Sequence, residues 1–166
     1  MRTILLFLQN MLIDEIESMR ENHDPLFGLI PPHITIVFPF ESSISNDELE
    51  LYILNVAKGV RPIEIEFASR ISNEGEYLFL EVERGKEKIE ELHDRLYTGP
   101  LLQFLRTDIP YIPHVTVGRK GSAELATEIA KEIPSFHEKL NCVINRISVE
   151  RIEENGESII EFEVSL

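Results

Sequence analysis

A short motif occurs twice in this chain, and it constrains the fold more than any other feature. Pro32-His33-Ile34-Thr35-Ile36 and Pro113-His114-Val115-Thr116-Val117 match at every position when Ile and Val are treated as equivalent. The order of predicted strands and helices around each copy is also similar, and no linker or low-complexity segment separates the halves. We therefore expect a fused duplication that forms one domain over residues 1–166.

Each copy of the motif predicts a β-strand with two different faces. Residues i and i+2 of a strand share a face, so His33 and Thr35 point one way while the aliphatic residues around them point into a core. His114 and Thr116 are related in the same manner. The preceding prolines suit the first position of a strand, because proline lacks a backbone donor. If the two strands face one another across a groove, two imidazoles and two hydroxyls surround one space.

This set of side chains suits phosphoryl chemistry. One neutral imidazole can take a proton from an attacking hydroxyl or water, while an imidazolium protonates the leaving oxygen. His33 and His114 are therefore the candidate catalytic residues, and the sequence does not assign base and acid between them. Thr35 and Thr116 are candidate phosphate-binding residues that donate to the non-bridging oxygens. The mechanism requires no metal and no other cofactor.

Two other interpretations of the paired motif remain open. The repeat could be a duplicated structural strand in which each histidine and threonine satisfy one another. The two histidines could instead be metal ligands, although the chain has no His-x-His, no HExxH and no clustered Cys/His set. We therefore expect no metal site.

Composition limits the class of partner and the compartment. The chain has 166 residues and a formal net charge of -14, which argues against tight binding to long nucleic acid but allows a small nucleotide in a local pocket. The single cysteine, Cys142, lies in an apolar run and is expected to be a buried core residue in a reducing compartment. The apolar N-terminal run is too short to span a bilayer, so we expect a cytoplasmic protein without a membrane segment.

Hydrophobic periodicity predicts the element order β-α-β-α-β-β-α-β-α-β-β. The first helix has Asn10 as its candidate cap, and Ser45 with Glu48 forms a capping box at the second. The histidines outside the motifs, His23, His93 and His137, are expected to be surface or capping residues. The predicted helices cover 11–22, 45–58, 85–97 and 122–132, and the predicted strands cover 2–8, 33–38, 62–70, 77–83, 113–118, 139–152 and 157–165.

The paired His-x-Thr motifs resemble those of the 2H phosphoesterase superfamily, particularly its bacterial 2'-5' RNA ligase-like (LigT-like) branch. The resemblance implies an α+β, bilobal, pseudo-duplicated fold in which two antiparallel sheets face a central cleft and the helices pack outside. It implies that His33, Thr35, His114 and Thr116 lie in that cleft. It also implies cyclic phosphodiesterase or RNA ligase-type chemistry on a 2',3'-cyclic or 2'-5' linkage, with a small nucleotide or an RNA-end phosphodiester as substrate.

Two further residues near the second motif are candidate substrate contacts. Arg119, followed by Lys120, could lend positive charge to a phosphate, but strict alternation points Arg119 away from His114 unless the strand ends or twists near Gly118. Tyr111 could stack on a base at the cleft mouth, and a packed loop aromatic is the alternative.

Two functional hypotheses follow from the sequence. The first is a metal-independent phosphoesterase that cleaves a cyclic or 2'-linked phosphodiester. The second, motivated by the high negative charge, is a noncatalytic nucleotide- or phosphate-binding module on the same fold. A turnover assay separates the two hypotheses, because only the phosphoesterase releases product.

Overall fold

The computed structural model of the chain describes residues 1–8 and 12–166. These residues form four helices and nine strands, so the predicted α+β class is confirmed. The helices are α1 (Leu12–His23), α2 (Asn46–Ala57), α3 (Lys86–Leu96) and α4 (Ala123–Glu132), with one 3-10 turn at Leu102–Phe104. The strands are β1 (Arg2–Phe7), β2 (His33–Phe40), β3 (Ile63–Phe67), β4 (Ser72–Glu74), β5 (Tyr77–Arg84), β6 (His114–Arg119), β7 (Asn141–Ile144), β8 (Arg146–Ile152) and β9 (Ser158–Ser165).

The strands pair antiparallel along one path, β7-β3-β5-β6-β2-β1-β8-β9, with β4 paired to β5 beside that path. The resemblance implied two sheets, whereas here its two lobes are the two halves of one sheet, joined where β6 meets β2. Only Asn145 separates β7 from β8, although five strands lie between them along the path. Because consecutive Cα atoms are about 3.8 Å apart, the sheet must curl to bring these two strands together.

One large hydrophobic core lies against the aliphatic face of the sheet. It receives residues from every strand of the two halves except β4 and from all four helices. Ile34, Ile36, Val115 and Val117 of the motif strands are at most 1% exposed within it, so the aliphatic half of each motif has its predicted role. Cys142 is buried on β7, also as predicted.

Local signals in the sequence explain several element boundaries. The Ser45 hydroxyl accepts from the Glu48 N–H and the Glu48 carboxylate accepts from the Ser45 N–H, so the predicted capping box is confirmed. The β8–β9 hairpin turns at the predicted place, where Gly156 has a positive φ of 84°. The predicted cap Asn10 lies outside the described residues. Within the described residues, no helix is long and apolar enough to cross a membrane.

One predicted strand was wrong. Residues 139–152 form two strands with a break at Asn145, because β7 pairs with β3 while β8 pairs with β1. The partner strands β3 and β1 lie far away in the sequence, so the alternation of apolar residues within 139–152 does not show where the pairing changes from one to the other.

Candidate active site

The two motifs meet at the centre of the sheet. β2 and β6 pair antiparallel through Ile34 and Val115, whose side chains enter the core. The predicted strands therefore lie side by side as neighbours in one sheet and do not face one another across a groove. The antiparallel register from this pair sets Thr35 beside His114 and His33 beside Thr116.

These four residues, the motif quartet, share the face of the sheet opposite the aliphatic core. Each is half-buried, while the residues between them on the strands are fully buried. Neighbours diagonal to one another on adjacent strands are about 7–8 Å apart, a span within reach of two imidazole rings. The structure thus brings together His33, Thr35, His114 and Thr116, as the sequence predicts.

Matching backbone hydrogen bonds hold the two imidazoles. Nδ1 of His33 lies 2.9 Å from the Pro31 carbonyl, and Nδ1 of His114 lies 2.6 Å from the Ile112 carbonyl. A carbonyl oxygen can only accept, so each Nδ1 carries a proton and donates it. In the neutral ring Nε2 is then the unprotonated nitrogen, and it is the atom available to a ligand.

Burial makes His33 a weak base. Desolvation lowers its pKa from an ordinary 6.5 to about 4, and the positive charges of Arg20 and His114 act in the same direction. The hydrogen bond to Pro31 and the charge of Asp24 oppose this effect. Arg20 and Asp24 are themselves a buried ion pair, with Nε 2.8 Å from Oδ2, at the end of α1.

His114 has a different electrostatic neighbour. Burial also lowers its pKa, but the hydrogen bond to Ile112 and the charge of Glu81 raise it. Glu81 lies directly opposite His114 on β5, and its carboxylate accepts a hydrogen bond from Ser72.

The flanking strands make the quartet asymmetric. The residue opposite His33 on β1 is Phe7, whose ring meets the imidazole edge-on at 6.0 Å, whereas the residue opposite His114 is Glu81. An apolar ring raises the cost of a charged imidazole, and a carboxylate lowers it. The scaffold is therefore nearly symmetric, but the affinities of the two rings for a proton differ.

A β-bulge turns Arg119 onto the face of the quartet. The β5–β6 register shifts by one residue beside Gly118, so Arg119 pairs with Tyr77. Its guanidinium lies 5.3 Å from the centre of the Tyr77 ring and forms an ion pair with Glu76, Nη2 to Oε1 2.6 Å. The sequence allowed Arg119 to contact substrate only if the strand ended or twisted near Gly118, and this bulge is such a twist. Lys120 instead donates to Nδ1 of His23 at 2.8 Å.

Tyr111 has a packing role in this structure. Its ring stacks on His93 at a centroid distance of 3.7 Å, and its hydroxyl donates to the Thr35 carbonyl at 3.0 Å. Burial raises the pKa of the Tyr111 hydroxyl, so it stays protonated as a donor. These contacts connect the loop before β6 to β2. The predicted contact of Tyr111 with a base stays a prediction.

The interpretation of His93 as a surface or capping residue was wrong. His93 is 4% exposed, and its Nδ1 donates to the Ile36 carbonyl at 2.9 Å. Helical periodicity could have identified it, because it shares the i, i+3, i+4, i+7 stripe of α3 with the buried residues Ile89, Leu92 and Leu96.

Sequence reasoning also missed two neighbours of the quartet, Phe79 and Glu81. They lie on β5 and share the face of His114, and the Phe79 ring stacks on that imidazole at 3.5 Å and 22°. The alternation of β5 predicts that they share a face, but nothing local shows that β5 lies beside β6.

The described residues contain no cluster of three or more His, Cys, Asp or Glu side chains arranged to hold a metal ion. The four polar groups of the quartet are two imidazoles and two hydroxyls. Within residues 1–8 and 12–166, the structure gives no hydrogen-bond partner to either threonine hydroxyl or to either Nε2. Two hydroxyls that can donate hydrogen bonds and two imidazole nitrogens that can take up a proton therefore share one face of the sheet.

Comparison with known proteins identifies the family of this chain. Residues 8–156 match the family model described as the 2'-5' RNA ligase superfamily. Two bacterial relatives are each named "Putative phosphoesterase". That of Geobacillus thermodenitrificans is 26% identical over 92% of this chain and 88% of its own. That of Halalkalibacterium halodurans is 34% identical over 72% of this chain and 70% of its own.

Solved structures show the same fold. Escherichia coli LigT complexed with 3'-AMP superposes with a TM-score of 0.64 at 14% identity, covering 99% of this chain and 97% of its own. The same protein complexed with NADP+ gives a TM-score of 0.62 at 18% identity, covering 99% and 96%. Identity this low supports the fold alone. The family model and the paired motifs carry the assignment, and the chain belongs to the 2'-5' RNA ligase superfamily, the 2H phosphoesterases.

Proposed function

We propose that this protein hydrolyses a cyclic or 2'-linked phosphodiester of a small nucleotide by two-histidine general acid–base catalysis. The observation that carries the proposal is the motif quartet, with two imidazoles that keep Nε2 available beside two threonine hydroxyls on one face. Membership of the superfamily supports the class of reaction.

The asymmetry of the quartet favours His33 as the base. A water molecule attacks phosphorus and gives its proton to Nε2 of His33, whose low pKa keeps that nitrogen unprotonated at neutral pH. The new bond is the one between the water oxygen and phosphorus.

His114 then serves as the acid. The bond between phosphorus and one ribose oxygen breaks, and that oxygen takes a proton from Nε2 of His114. Glu81 raises the pKa of His114, and a bound phosphate anion acts in the same direction. Thr35 and Thr116 donate to the non-bridging oxygens, where negative charge grows in the transition state. The product is a nucleoside monophosphate.

The net charge supports a small substrate. At -14, the protein repels a long polyanion, whereas one phosphate on the quartet needs only local donors. The complexes of E. coli LigT with 3'-AMP and NADP+ are likewise with small nucleotides.

Turnover of a nucleoside 2',3'-cyclic phosphate tests the proposal. We expect His33→Ala and His114→Ala each to lower kcat by about 10²- to 10⁴-fold, because each removes one proton transfer, and the wild-type pH profile to be bell-shaped. His137→Ala, which removes an exposed histidine outside both motifs, is the control and should keep full activity. Full activity in both motif variants, or loss of wild-type activity in EDTA, would sink the proposal.

A noncatalytic phosphate-binding module is the second candidate. It is favoured by the lowered pKa of both imidazoles, because burial disfavours the protonated form that a general acid needs. Calorimetry with a nucleoside 2'-phosphate beside the turnover assay separates the two. Binding without product would support the module.

A further inference from the structure

We propose that Tyr77 and Phe79 of β5, here called the aromatic platform, form the surface on which the substrate's nucleobase stacks. This inference rests on the proposed function in one respect, that the phosphate occupies the motif quartet. It assigns the substrate class as nucleotides, in preference to cyclic phosphates that carry no base.

The register of β5 and β6 places the platform beside the quartet. Phe79 pairs with Thr116 and Tyr77 pairs with Arg119, so the two rings share the face that carries His114. A base linked through ribose to a phosphate on the quartet is therefore directed along β5.

The rings form a continuous aromatic row. Phe79 stacks on His114 at 3.5 Å, and the Tyr77 ring follows at 6.4 Å from Phe79 with 26° between their planes. Burial increases toward the quartet, because Tyr77 is 39% exposed while Phe79 and His114 are half-buried. The exposed part of the Tyr77 ring is apolar surface that a ligand can contact. Any nucleobase can stack on such a ring, because every base has a flat aromatic face.

Charged neighbours hold the outer ring in place. Arg119 lies over Tyr77 and is itself fixed by the ion pair with Glu76 on the β4–β5 turn. A ring that is ordered before binding loses less conformational entropy when a base stacks on it.

On the other side of the quartet, β1 presents one half-buried ring, Phe7, edge-on to His33, and the next residue on that face is Leu5. Leu5, opposite Thr35 on β1, is 1% exposed, and Ser148, its partner on β8, is fully buried. The flank on β5 thus carries the longer aromatic row and, at Tyr77, the more exposed ring.

Calorimetry tests the platform with two ligands, adenosine 2'-monophosphate and methyl riboside 2-phosphate, which lacks the base. We expect Tyr77→Ala to raise Kd for the nucleotide roughly 5- to 100-fold and to leave Kd for the base-free ligand within about twofold. Tyr77→Phe, which keeps the ring, should bind the nucleotide like the wild type. Phe27→Ala removes an aromatic ring of similar exposure, 41%, elsewhere on the surface and should change neither affinity.

Three results would overturn the platform: equal wild-type affinity for both ligands, equal losses for both ligands in Tyr77→Ala, or no binding of the nucleotide by the wild-type protein. A different result would contradict the proposed hydrolysis and leave the platform intact. A protein that binds the nucleotide in a base-dependent manner but turns over no cyclic phosphate keeps the platform and loses the reaction.

Discussion

His33 and His114 have the same backbone partners but different side-chain neighbours. Each Nδ1 donates to the carbonyl two residues earlier, which fixes the same tautomer in both rings. Phe7 lies opposite His33 and Glu81 lies opposite His114, so the proton affinities diverge. The two copies of one motif can thus take different roles in one reaction, as a base and an acid require.

We predict that His33 titrates near pH 4 and His114 at a higher pH that is still below 6.5, measured by NMR of the ring protons. Glu81→Gln should lower the pKa of His114 further, because it removes the negative charge that stabilises the imidazolium. If His114 is the acid, the alkaline limb of the pH–rate profile moves to lower pH in that variant.

Glu83→Gln is the control for this prediction, since Glu83 lies two residues along β5 on the same face and is exposed. It should leave both titrations unchanged. Coincident titration of the two histidines in the wild type would contradict the electrostatic assignment.

At the residue scale, the sequence was enough to identify the four residues of the quartet, because each His-x-Thr places two side chains on one face of one strand, but it did not predict that the two strands pair side by side. It was not enough for Phe79 and Glu81. Their influence on His114 depends on the pairing of β5 with β6, which joins residues more than thirty positions apart.

Among the elements, β6 determines how the site extends beyond the quartet. Its bulge brings Arg119 onto the functional face, and Gly118 at that bulge lies under the end of α1. A Cβ added to Gly118 would lie 2.8 Å from Cβ of His23 and 2.9 Å from Cδ1 of Leu78. The absence of a side chain at Gly118 is therefore what lets α1 pack against β6.

We predict that Gly118→Ala lowers the free energy of unfolding by about 1–3 kcal/mol, because α1 must move away from β6 to accommodate the methyl group. Gly121→Ala is the matched control, since a Cβ there meets nothing within 4 Å. Its change should stay within about 0.5 kcal/mol. Urea unfolding measures both, and equal stability of the two variants would contradict this account of the packing.

Element prediction succeeded where the signal was local and failed where it was not. The Ser45–Glu48 capping box and the turn before Gly156 lie where the sequence predicts them. The division of 139–152 into β7 and β8 follows from a change of partner strand at Asn145, a property of the sheet that no local pattern carries.

In the whole molecule, the path of paired strands has four strands on each side of the β6–β2 junction. Each motif strand has a neighbour from its own half, β5 or β1, and the curl of the sheet returns β7 to β8. The duplication was readable from the repeated motif. That the two halves join into one sheet, side by side at Ile34 and Val115, follows from pairing alone.

Net charge also acts on the whole molecule. A protein with a net charge of -14 does not attract a polyanion from a distance, so binding of one phosphate depends on the hydrogen-bond donors of the quartet.

The central claim of this account is that both imidazoles act on a single phosphorus atom.

A crystal structure with nucleoside vanadate, which mimics the five-coordinate transition state, tests that claim most directly. We predict vanadium over the β2–β6 junction, with Nε2 of His33 and Nε2 of His114 each about 2.6–3.2 Å from a different apical oxygen. The hydroxyls of Thr35 and Thr116 should contact the equatorial oxygens. Vanadate bound to only one of the two imidazoles, or bound away from this junction, would contradict the account.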